Sequence, residues 1–106
     1  MTDIVKGSGN VFADLGFADP ETHALKAELV RSIAALLKQE GLTQADAAKR
    51  MGVSQPDISR LLKGQFRPFS LERLMRFLNA LGQDVEIAVK APVRRRARGK
   101  LTVHAV

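Results

Sequence analysis

Gln55, Asp57, Ser59, Arg60 and Lys63 fall within nine residues that read as one short helix, QPDISRLLK, with Ser54 as its cap. Their chemistry is that of hydrogen bonding to base edges. An amide at the start of a helix, such as Gln55, can bond adenine bidentately, and a guanidinium such as Arg60 can grip guanine or a phosphate. Asp57 either accepts from cytosine or offsets the positive end of the helix dipole. Pro56, at the second helical position, forfeits no helix hydrogen bond and offers an apolar edge to a thymine methyl. Ser54, Gln44, Lys63, Gln65 and Arg67 are better suited to phosphates, which orient a protein on a duplex without specifying sequence. Arg73 and Arg76 are expected on a solvated face instead.

A tight corner between two helices must position these groups. Ala48 and Met51 face inward from the first helix, and Gly52 supplies the positive φ of the turn. Val53 plugs the corner, and Ile58, Leu61 and Leu62 return to the core. Any glycine-bearing helical hairpin shares part of this pattern. The distinguishing feature is Gln44, Ala48, Gly52, Ser54, Ile58 and Leu61 in order, within a basic stretch, which is the pattern of a helix-turn-helix that lays its second helix in the major groove.

The remaining elements frame that motif. Asp19, Pro20 and Glu21 form a helix start, and Leu25, Leu29, Ile33, Leu36 and Leu37 follow at helical spacing until Gly41. Thr43 caps the second helix; Gly64 closes the third; Pro68 holds the loop over residues 65–69. Ser70 caps a fourth helix lined by Leu71, Leu74, Met75, Leu78 and Leu81, with Gly82 as a left-handed stop. Residues 84–90, DVEIAVK, then alternate with the period of a half-buried strand.

A lone strand leaves its own backbone groups unpaired. The spacing therefore predicts that Val85, Ile87 and Val89 form a dimerisation strand paired with a second copy; pairing with residues 101–105 of the same chain is the alternative. The expected fold class is all-α: a four- to five-helix DNA-binding domain with one C-terminal β-strand paired across a dimer. Its divisions are an N-terminal arm at 1–19, the helix-turn-helix domain at 20–82, the dimerisation strand at 83–91 and a basic flexible tail at 92–106. Phe12, Leu15 and Phe17 in the arm either pack on the bundle or meet a protein partner.

Charge supports a polyanionic partner. The 106-residue chain carries a net charge of +6, and Lys90, Arg94, Arg95, Arg96, Arg98 and Lys100 supply six cations after residue 89 with no acid among them. The body up to residue 89 is balanced, but residues 44–76 hold seven basic groups against three acids. The excess thus sits on the helix-turn-helix and the tail. The tail is either simply solvated or a minor-groove or phosphate tether.

Other classes are disfavoured. There is no cysteine, so disulfides and thiolate metal sites are excluded, which is compatible with a cytoplasmic location. No apolar run approaches the roughly 18 residues of a membrane span. His23 and His104 lie far apart, no ligand cluster has metal spacing, and Gly7 and Gly9 precede no phosphate-loop lysine. No catalytic residue, cofactor or metal is expected, and the chain does not read as an enzyme.

The segment GLTQADAAKRMGVSQPDISRLLKGQFRPFSLERLMRFLNALG resembles the Xre or lambda-repressor-like helix-turn-helix family. SGNVFADLGF and FSLERLMRFLNALGQDVEI, together with the chain length, resemble HigA-type antitoxins within it. That resemblance implies a homodimeric autorepressor on a palindromic double-stranded operator, with a RelE-like ribonuclease toxin as a further partner. Gln44, Ser54, Gln55, Asp57 and Arg60 match the family's DNA contacts, whereas Pro56 replaces a residue that is often polar there. The alternative is a protein-interaction module that keeps the repressor fold and binds a partner without specific DNA readout.

Overall fold

The computed structural model describes residues 20–94 and 97–105, and within them the chain forms four helices. These are α1 (Pro20–Glu40), α2 (Gln44–Met51), α3 (Gln55–Leu62) and α4 (Leu71–Ala80). Each begins or ends where local chemistry dictates. The Thr43 hydroxyl accepts from the Asp46 N–H at 3.0 Å while the Asp46 carboxylate accepts from the Thr43 N–H at 3.3 Å, a complete capping box. Ser70 caps α4 by accepting from the Arg73 N–H at 3.1 Å.

The helices bury one contiguous core. Leu29, Ile33, Leu36 and Leu37 of α1 meet Ala47, Ala48 and Met51 of α2, Ile58 and Leu61 of α3, and Leu74, Phe77 and Leu78 of α4. Helix α4 packs on α1 and α2, and α3 packs on α2 and α1. The apolar spacing read in the sequence therefore selects the right faces. Val53 and Leu62 are only partly buried at the edge of this core.

The sharp corner between α2 and α3 depends on Gly52, whose φ of 72° is left-handed. The Gly52 N–H donates to the Ala48 carbonyl, and the Val53 N–H reaches the same oxygen at 3.1 Å. One carbonyl thus takes both donors as the chain reverses.

The expected C-terminal strand does not form: no strand exists among the described residues, and residues 83–92 run without regular structure. The alternation of DVEIAVK is real, but a ladder needs a partner backbone, and residues 101–105 do not provide one. Val85 packs against the core of its own chain, whereas Ile87 and Val89 are 80% and 98% exposed. Val85, Ile87 and Val89 therefore do not share one environment, as a single strand face would require. The chain then returns to the body. The Leu101 N–H donates to Glu21 Oε2 at 3.0 Å, and Val103 packs against the core. The N-terminal arm with Phe12, Leu15 and Phe17 lies outside the described residues.

Candidate nucleic-acid interface

Helix α3 is anchored from one side and open on the other. Ile58 and Leu61 are essentially fully buried, so Gln55, Pro56, Arg60 and Lys63 are left exposed on the opposite flank. Asp57 and Ser59 sit half-buried between the two.

The start of α3 carries a braced polar group. Gln55 Nε2 donates to Gln44 Oε1 at 2.8 Å, tying the first residue of α3 to the first residue of α2. The brace couples the two amides and leaves the Gln55 oxygen and second N–H for a neighbour. An adenine edge needs that pair of functions. Gln44, expected from the sequence to suit a phosphate, is here the partner of the Gln55 amide.

Ser54 closes the same corner. Its hydroxyl oxygen accepts from the Asp57 N–H at 3.2 Å, and its O–H remains free to donate outward. Replacing it with alanine should cost about 1 kcal/mol of stability in urea denaturation, the usual loss of a cap. An unchanged midpoint would show that the cap carries no weight. Asp57 also pairs with Arg60 at 3.3 Å across one turn, with side chains 37% and 52% exposed. Such a pair contributes about 0.2–1 kcal/mol, so Arg60 can be drawn to a stronger anion.

The other pole lies beyond the end of α3. His23, Arg60, Gly64, Gln65, Arg67 and Pro68 line an open cleft of about 450 Å³. Gly64, with φ of 92°, lets the chain leave the helix, and the Gln65 N–H returns to the Arg60 carbonyl at 2.9 Å. Arg67 and Lys63 form no ion pair among the described residues. Gln65, Arg67 and Arg60 therefore gather on one cationic rim, while Gln44, Ser54, Gln55 and Pro56 gather at the other end of α3. Arg73 is exposed, and its guanidinium stacks on Phe69 and Phe77 at 4.9 and 5.4 Å from the ring centroids. Arg76 pairs with Glu72 at 3.6 Å.

Two buried aromatic side chains hold that rim. Besides Pro68, which the sequence reading has holding the loop, Phe66 and Phe69 are both buried and pin it, and the Phe69 N–H bonds the Phe66 carbonyl at 3.0 Å. His23 stacks on Phe66 at 4.9 Å. Two phenylalanines three apart beside a proline were the available signal.

The capping box also makes a pH statement. A hydrogen bond from the Thr43 hydroxyl, then one from the Thr43 N–H, with Lys49 and Arg50 nearby, hold the Asp46 carboxyl below its ordinary value of 3.8. A depressed folded value stabilises the folded state above 3.8 and loses that stabilisation as pH falls through the folded value. The Tm difference between the protein and Asp46→Ala should therefore shrink as pH is lowered below 3.8. A difference constant down to acid pH would contradict this.

Among the described residues, no group of three or more His, Asp or Glu is arranged to hold a metal, and no helix is long and apolar enough to cross a membrane. A family model described as a helix-turn-helix domain matches residues 11–90. A solved structure named "Putative XRE Family Transcriptional Regulator" is 40% identical, with a TM-score of 0.77 over 84% of this chain and 100% of that one. No curated protein matches the chain. Helix order, the glycine corner and these two likenesses agree: the chain belongs to the XRE family of helix-turn-helix proteins.

Proposed function

We propose that this protein is a sequence-specific DNA-binding transcriptional regulator that acts as a homodimer on a palindromic operator. The single observation that carries the reading is the braced Gln44–Gln55 pair at the exposed start of α3. It presents a fixed donor and acceptor toward a base edge, while Lys63, Gln65 and Arg67 supply phosphate contacts further along. Pro56, Asp57, Ser59 and Arg60 complete the groove-facing set, and Ser54 adds an outward O–H.

The dimer is supported by Ile87 and Val89, which no part of the described chain covers. A second copy meeting at that segment would set two α3 helices in successive major grooves about 34 Å apart. Resemblance to HigA-type antitoxins extends the reading to a cytoplasmic autorepressor that also binds a RelE-like toxin.

Selection of bound sequences from a random duplex pool, with sedimentation of the complex, tests this. The expected result is two related half-sites about 34 Å apart with two chains per duplex. A pool that enriches no sequence would overturn the proposal.

A further inference from the structure

We propose that Lys26, a residue of α1 outside the groove-facing set, is a positioning residue for DNA binding that acts through Arg67. The proposal rests on the DNA-binding reading above. Lys26 is only 5% exposed, and its Nζ donates to the Arg67 backbone carbonyl at 3.0 Å, across 41 residues of sequence. A charged amine so deep in a small helical core is unusual, because burial penalises the charge unless its donors are engaged. Here one of them is spent on the loop that follows α3.

The location of that bond gives it a consequence. Phe66 and Phe69 anchor the loop on both sides of Arg67 and close a turn through the Phe69 N–H and the Phe66 carbonyl, and the Lys26 bond adds a tie at Arg67 itself, inside that turn. With its carbonyl drawn inward to Lys26, Arg67 has its exposed side chain on the rim it shares with Arg60 and Gln65. The bond thus fixes the one peptide of the pinned loop from which the Arg67 side chain leaves toward the rim. Lys26→Met keeps the aliphatic stem and removes the donor, so the Arg67 carbonyl loses its partner and the loop its register.

The test is a double-mutant cycle on the full chain. Binding to the duplex recovered by selection is titrated across a salt series for the wild type, Lys26→Met, Arg67→Ala and the double variant. Each single variant should weaken binding about fivefold at 0.15 M salt and flatten the log–log salt slope by about 0.9, the weight of one phosphate contact. In the Arg67→Ala background, Lys26→Met should add nothing. Thermal melting checks that each variant is folded; where Lys26→Met is not, Lys26→Gln, whose amide stops one bond short of the lysine amine and so of the Arg67 carbonyl, runs the same cycle with the same expected losses.

A folded Lys26 variant with wild-type affinity and slope would overturn the proposal. So would losses that multiply in the double variant, or an affinity loss at unchanged slope, which marks a merely structural role. Failure of the wild type to prefer the selected duplex over a scrambled one would instead sink the DNA-binding reading itself, and this inference with it.

Discussion

Leu61→Ala should lower the free energy of unfolding by about 2–5 kcal/mol, read from urea denaturation at an unchanged m-value. Leu61 is 0% exposed and belongs to the core cluster with Ile33, Ile58 and Leu74. Truncation removes the transfer free energy of the lost carbons, and it leaves a void that the short helix α3 cannot close without moving. Against a typical domain stability of about 5–15 kcal/mol, the loss is large. It would also loosen the helix that carries Gln55 and Arg60, so DNA affinity should fall although Leu61 touches no solvent. A destabilisation below about 1 kcal/mol would mean that α3 is not seated on this core.

Gln55→Ala should behave in the opposite way, leaving stability near the wild type and removing about 1–3 kcal/mol of discrimination at one base pair. That corresponds to roughly 5- to 150-fold in relative affinity. The side chain is exposed, so little packing is lost. Gln44→Ala should reproduce part of the effect, because the 2.8 Å brace then no longer orients the Gln55 amide. Competition titrations against duplexes varied at each position would report this. Equal weakening on every duplex would make Gln55 a backbone contact and remove the main support for base readout.

Features set within a few residues were legible in the sequence. Thr43, Ser54 and Ser70 cap the helices that follow them, and Gly52 and Gly82 take the left-handed backbone expected of them. Apolar spacing found most of the buried face of each helix, but it passed over Ala47 and Phe77, which are buried, and included Leu62, Leu71 and Met75, which are only partly so. Long-range geometry was not legible. Nothing in the residue types announces that Gln44 and Gln55, 11 apart, share a hydrogen bond, because that depends on the angle at the corner. Lys26 and Arg67 are 41 apart, and a lysine on a helix reads as solvated until the loop is seen lying over it.

The expected strand failed for a related reason. Alternation in residues 84–90 describes side chains, whereas a strand is defined by backbone partners, and the described chain offers none. Val85 finds the core of its own chain and Ile87 does not, which period-two reasoning cannot separate. The return of the tail to Glu21 through Leu101 was equally hidden, since a bond spanning 80 residues has no local signature.

Specific recognition of a DNA sequence is the central claim, and fluorescence-anisotropy titration tests it most directly. The full chain would be titrated against a duplex from its own upstream region and a scrambled duplex of equal length, across a salt series. The account predicts that the upstream duplex binds about a thousandfold or more tightly than the scrambled one at physiological salt. Equal, weak and steeply salt-dependent binding to both would contradict it, leaving the basic tail as a phosphate contact and a protein as the partner to seek.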